Sequence, residues 1–68
     1  MGLEILTERQ RQILNLSAKG LQAPDVASEL GCSPKTVRNQ LSNIYQKLGV
    51  NNKVQAVAYL LTGGRRDN

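Results

Sequence analysis

The chain has 68 residues, the length of one small domain, which excludes a multi-domain arrangement. A domain of this size buries only about 60% of the surface of its unfolded chain, so it has few core positions to spare for a deep catalytic pocket. Nine Lys and Arg residues against five carboxylates give a net charge of +4, which favours a polyanionic partner such as nucleic acid or anionic lipid. We therefore expect a function on the surface, and we expect that the chain is not an enzyme.

The cysteine and histidine content restricts the chemistry further. One cysteine and no histidine exclude an internal disulfide and leave a structural zinc site without its ligands, so we predict no metal and no cofactor. No apolar run approaches the roughly 20 residues that a membrane span requires, and the N-terminus lacks the pattern of a signal peptide. These features predict a reduced, cytoplasmic protein that has no membrane partner.

Glycines at positions 20, 31, 49 and 63 divide the chain into four segments, each ending where a helix needs a residue that accepts positive φ. The first predicted helix begins at Thr7, which has Gln10 at capping-box spacing, and it runs to about Lys19. A short second helix has Pro24 in its first turn and ends at Gly31.

The third helix is predicted over residues 34–48, because Ser33 is a good capping residue and the proline after it tolerates the first helical position. Asn51 or Asn52 caps a fourth helix that extends through Leu61. The short second helix, its glycine turn and the third helix together are typical of a helix-turn-helix. We therefore predict an all-α, compact four-helix helix-turn-helix domain over residues 5–62, with loose termini at 1–4 and 63–68.

The third helix has two different sides. Its polar side is a stripe of Lys35, Arg38, Asn39, Ser42 and Gln46, extended along one flank by Thr36, Gln40, Asn43 and Lys47. The helix contains no carboxylate, although an ordinary solvated face mixes acidic with basic residues in i,i+4 pairs. Arg can pair with guanine and Asn with adenine in the major groove, which is wide enough to admit a helix. These nine residues are predicted to contact double-stranded DNA, and the alternative is a merely solvated polar face.

The fourth helix is apolar over more of its circumference than packing on one domain requires. Its residues at i, i+3, i+4 and i+7, expected to pack on the domain, are Val54, Val57, Ala58 and Leu61. Ala56, Tyr59 and Leu60 lie outside this stripe and are predicted to form a dimer interface, the alternative being ordinary surface residues. Because the patch is small, we expect a weak homodimer that forms on DNA.

The chain closely resembles the LuxR-type (GerE-like) DNA-binding domain over about residues 5–62. The motifs that carry the resemblance are Leu6-Thr7-Glu8-Arg9-Gln10, Ile13-Leu14, Gly20-Leu21, Val26-Ala27, Leu30, the run from Ser33 to Ile44, Lys47-Leu48-Gly49-Val50 and Gln55-Ala56-Val57. The resemblance implies a four-helix transcriptional regulator domain, often the output domain of response regulators or quorum-sensing receptors, that pairs through its last helix on two half-sites. It also implies contacts with base edges or adjacent phosphates for Lys35, Arg38, Asn39 and Ser42, and mainly backbone contacts for Thr36, Gln40 and Asn43.

Three departures from the family pattern matter. The family usually has Glu where this chain has Gln10 and Gln12, so the charge that a salt bridge from these positions would need is missing. It usually has His at the position of Gln40, which excludes a pH-sensitive phosphate contact here. Gln22 and Pro24 replace a better-capped start of the second helix.

A helical module of the same fold that binds a protein, such as RNA polymerase or an acidic partner, is the alternative function. The salt dependence of binding distinguishes the two functions. A protein that neutralises phosphates loses affinity steeply as the salt concentration rises, whereas a dry protein interface does not. The carboxylates of Asp25 and Glu29 are four residues apart on the second helix, but no third ligand joins them in the sequence pattern.

Overall fold

The computed structural model describes residues 5–62, which form the helices α1 (Glu8–Ala18), α2 (Ala23–Leu30), α3 (Pro34–Leu48) and α4 (Lys53–Leu61). This part of the chain contains no strand, so the predicted all-α, four-helix architecture is confirmed. The observed bounds agree closely with the predicted ones, and those of the third helix are the same. The predicted loose termini and the predicted helix end at Gly63 lie outside the described residues.

Side-chain caps begin three of the four helices. Thr7 accepts the backbone N–H of Gln10 at 3.1 Å, and the Gln10 side chain accepts the backbone N–H of Thr7 at 3.1 Å, which confirms the capping box. Ser33 and Asn52 each accept a backbone N–H from the first turn of α3 and α4. Gln22 at the start of α2 makes no such side-chain bond, as the departure from the family pattern indicated.

Glycines end α2 and α3 in the left-handed conformation. Gly31 has φ 71° and Gly49 has φ 72°, values at which a side chain would strain the backbone. At the first of these turns the N–H of Cys32 donates to the carbonyl oxygen of Ala27 at 3.0 Å, so the chain reverses within a few residues. This tight turn places α3 directly against α2 and produces the helix-turn-helix.

The core is aliphatic and is formed mainly by α1, α2 and α3, with Ala56 from α4. Its largest fully buried side chains are Ile13, Leu14, Val26, Val37 and Ile44. Leu48 is also buried, and Leu41 and Tyr45 pack half-buried against the core, so the apolar side of α3 packs on the other helices. Because this side faces inward, the polar stripe of the same helix must face outward.

The predicted orientation of α4 is wrong. Ala56 has 0% exposure, whereas Val54 is 78% and Leu61 is 80% exposed. Tyr59 and Leu60 are half-buried against the core. The three residues predicted as the dimer interface therefore form the side of α4 that packs on the domain. Of the stripe predicted to pack, Val54, Ala58 and Leu61 are exposed and only Val57 is half-buried.

The error has a physical reason. Ala56, Tyr59 and Leu60 follow helical spacing at i, i+3 and i+4, as does the outer stripe, and periodicity alone cannot say which stripe points inward. The small side chain of Ala56 lets α4 lie close against α1 and α3, and the larger Val54 and Leu61 stay exposed on the other side. Within residues 5–62, no helix has both the length and the apolar character needed to cross a bilayer.

Candidate nucleic-acid interface

The polar stripe of α3 is exposed along its whole length. Its residues Lys35, Arg38, Asn39, Ser42 and Gln46 are all exposed and extend over about 16 Å of helix at 1.5 Å per residue. No hydrogen bond or ion pair restrains these five side chains within residues 5–62. They are therefore available to an external partner, and they bring two cations and three neutral hydrogen-bonding groups to one side of the helix.

Two flank residues near the stripe are also exposed, and one of them belongs to a cap. Thr36 and Asn43 both face solvent. The hydroxyl of Ser33 donates to Oγ1 of Thr36 at 3.0 Å and accepts the backbone N–H of the same residue at 3.1 Å. The cap thus fixes the N-terminal end of α3, which carries Lys35.

A buried glutamine of α1 holds the other two flank residues. Gln10 is 5% exposed; its Nε2 donates to Oε1 of Gln40 at 3.1 Å, and its Oε1 accepts from Nζ of Lys47 at 2.9 Å. Nζ of Lys47 also donates to the carbonyl oxygen of Ile5 at 3.3 Å. Gln40 and Lys47 are therefore restrained, unlike the stripe: Gln40 accepts a hydrogen bond from Gln10 of α1, and Lys47 donates to neutral oxygens of Gln10 and Ile5.

Sequence reasoning assigned Gln10 only to the capping box and missed this second role. The sequence feature that could have indicated this role is the helical spacing of Gln10. It shares one inward side of α1 with Ile13, Leu14 and Ser17, at i, i+3, i+4 and i+7. A polar residue on a buried helical side needs hydrogen-bond partners, and here the partners lie on α3. No buried side-chain nitrogen or oxygen of the described residues lacks a partner.

The electrostatics of α3 favour an anionic partner. No ion pair within residues 5–62 neutralises Lys35 or Arg38, and the exposed carboxylates of Asp25 and Glu29 lie on α2 instead. Burial raises the pKa of the Tyr45 hydroxyl above its usual value of 10.0, so this phenol adds no negative charge to α3 at neutral pH.

The remaining candidate groups do not form a second site. Over the described residues, no three His, Cys, Asp or Glu side chains lie close enough together to hold a metal ion, so Asp25 and Glu29 gain no third ligand. Cys32 is a free, half-buried thiol that packs against the core. The α3 stripe is the surface whose chemistry points to a partner, and a helix of this width fits a major groove about 12 Å wide.

Comparison with known proteins agrees with this geometry. Residues 4–60 match the family described as bacterial regulatory proteins, luxR family. The spore germination protein GerE of Bacillus subtilis is 47% identical over 60 residues, which cover 88% of this chain and 81% of that protein. The transcriptional regulatory protein UhpA of Escherichia coli is 41% identical over 58 residues, which cover 85% of this chain and 30% of that protein.

A solved structure supports the same assignment. The structure of the transcription factor GerE superposes with a TM-score of 0.78 and 42% sequence identity, covering 87% of this chain and 90% of that one. The chain spans most of GerE but less than a third of UhpA. It belongs to the luxR family of bacterial regulatory proteins, and it is a LuxR-type DNA-binding domain of a transcription regulator.

Proposed function

We propose that this domain binds double-stranded DNA in a sequence-specific manner, with α3 inserted in the major groove. The observation that carries the proposal is the exposed stripe of α3, which has unpaired cations and amides and no carboxylate. Arg38 and Asn39 are the side chains best suited to read guanine and adenine, and Lys35 and Ser42 lie beside them on the same face.

The flank of α3 is assigned to the DNA backbone and to groove edges. Donors to phosphate oxygens, which fix the register of a helix in the groove, come from the flank residues Thr36, Gln40, Asn43 and Lys47 and from Gln46 of the stripe. Lys47 has one ammonium hydrogen left after its bonds to Gln10 and to the carbonyl of Ile5, and that hydrogen can reach a phosphate. We also propose a cytoplasmic setting, which the single free cysteine, Cys32, supports.

We further propose a weak homodimer on DNA through the outward side of α4. The exposed positions Val54, Ala58 and Leu61, at i, i+4 and i+7, replace the side chains that the sequence had suggested. A two-fold axis through these α4 residues would place the same surface of each copy in contact. It would also place the two α3 helices about 34 Å apart, which is the length of one turn of DNA. The stripe is short, so we expect little dimer without DNA.

Replacing Leu61 with glutamate tests the dimer. Leu61 is 80% exposed, so the monomer should keep its fold and its thermal stability. Binding to a duplex with two half-sites should weaken about tenfold, the size of losing one interface anchor, whereas binding to a single half-site should fall only slightly, because of the added negative charge. Gel-shift titrations with both duplexes measure this, and equal affinity of variant and wild type on two half-sites would exclude α4 as the dimer surface.

Selection of bound sequences from a random duplex pool, followed by a salt titration, tests DNA binding itself. We expect enrichment of a defined sequence and a log-log salt slope near −0.9 for each phosphate neutralised. No enrichment, or a flat salt response, would favour the alternative that the α3 stripe contacts a protein such as RNA polymerase. Enrichment of a single isolated half-site would support the proposed DNA binding and contradict the proposed dimer.

A further inference from the structure

The partners of Gln10 determine which way its side-chain amide points. The backbone N–H of Thr7 and the ammonium of Lys47 can only donate hydrogen bonds, and both face Oε1 of Gln10, at 3.1 Å and 2.9 Å. A flipped amide would set its own N–H groups against two donors in a site that is only 5% exposed. The nitrogen of Gln10 therefore has to face Gln40.

This orientation determines the amide of Gln40 in turn. Because Nε2 of Gln10 is a donor, the atom of Gln40 that it contacts at 3.1 Å has to be the acceptor Oε1. Nε2 of Gln40 has no partner within residues 5–62, and no unpartnered side-chain nitrogen is buried there, so this nitrogen reaches solvent. It does so on the flank of α3 that also presents Thr36 and Asn43.

We propose that Gln10 is a positioning residue that makes Gln40 a hydrogen-bond donor toward DNA, an inference that rests on the proposed function of α3. A donor here can donate to phosphate oxygens, to the O6 or N7 of guanine or to the O4 of thymine, and it cannot pair with an amino group such as N4 of cytosine. The buried Gln10 thus sets the hydrogen-bonding polarity of Gln40, one position of the helix proposed to face DNA, from inside the domain.

A carboxylate at position 10 would reverse this polarity. A carboxylate only accepts, so the amide of Gln40 would turn its nitrogen inward and present its oxygen to the DNA, where it repels phosphate. The same substitution also neutralises part of the charge of Lys47. The experiment therefore has to separate the amide reversal from the charge change.

The affinity arm measures binding to the duplex obtained by selection for wild type, Q10E, Q40A, Q10E/Q40A and the control Q12E. Gln12 is exposed on α1, so its change to glutamate adds the same charge without touching Gln40. Q10E should weaken binding about tenfold more than Q12E, the size of losing one hydrogen bond to a charged group. In the Q40A background, the loss of affinity caused by Q10E should be several-fold smaller than in the wild-type background. An equal loss in both backgrounds overturns the proposal.

The second arm needs no DNA and so distinguishes this inference from the proposed function. In wild type, NMR of the side-chain amides should show the NH2 group of Gln10 protected from solvent exchange and that of Gln40 exchanging fast. In Q10E the NH2 group of Gln40 should become protected. A protected Gln40 amide in wild type overturns the proposal even if the protein binds DNA. If neither wild type nor any variant binds DNA, the proposed function is wrong, but the amide exchange pattern of wild type still decides how the two amides are oriented.

Discussion

Replacing Ile44 with alanine should leave a large fraction of the protein unfolded under conditions in which wild type is fully folded. Ile44 has 0% exposure at the middle of the inner side of α3. Removing its branched side chain loses its transfer free energy and leaves a cavity, together costing about 2 to 5 kcal/mol. A domain of this size has a free energy of unfolding of only about 3 to 10 kcal/mol. The chain also has no Phe or Trp that could move into the cavity.

Urea unfolding, monitored by circular dichroism, measures how much Ile44→Ala lowers the free energy of unfolding. Leu61→Ala is the matched control, because this leucine is 80% exposed and its truncation should change the free energy of unfolding by less than about 0.5 kcal/mol. If Ile44→Ala cost no more than the control, α3 would not pack through this side. The polar stripe would then not face outward, and the DNA-binding proposal would lose its geometric basis.

The packing of α3 was predictable because its two sides differ in chemistry as well as in spacing. Val37, Ile44 and Leu48 recur at helical intervals on one side, while the opposite side holds only polar and basic residues. One arrangement alone buries the apolar side, and the caps at Ser33 and Gly49 fix where the helix begins and ends. The exposure of the stripe follows from these local rules without knowledge of the other helices.

The orientation of α4 was not predictable in this way, because both of its sides are apolar. The side that packs is chosen by how closely α4 can approach α1 and α3, and the small side chain of Ala56 allows a closer approach than Val54 or Leu61. Such shape matching depends on the tertiary arrangement, which a periodic pattern does not contain. The chain thus leaves Val54 and Leu61 exposed on the outside.

The bond between Gln10 and Gln40 was also beyond sequence reasoning. The two residues are 30 positions apart, and the pattern shows only that Gln10 lies on a buried side of α1. Burial of an amide requires partners, but which helix supplies them depends on how α1 crosses α3. The structure is therefore needed to find this connection between the interior of the domain and the flank of α3.

Replacing Arg38 with alanine should weaken binding to the selected duplex by about 1 to 3 kcal/mol, or about 5-fold to 150-fold, and weaken binding to random duplex much less. Arg38 is exposed and has no partner within residues 5–62, so its loss should leave the fold and the other helices unchanged. The expected discrimination arises because a guanidinium pairs with two acceptors on one guanine, and a mutant lacks both bonds at that base only.

Arg11→Ala supplies the charge control. Arg11 is exposed on α1, so its removal makes the same change in net charge away from the stripe and should lower the affinity for both duplexes slightly and equally. Binding of each variant is measured on both duplexes at several salt concentrations. If Arg38→Ala lost affinity equally on the two duplexes and reduced the salt slope by about one, Arg38 would be a phosphate contact, and base reading would pass to Asn39 and its neighbours on the stripe.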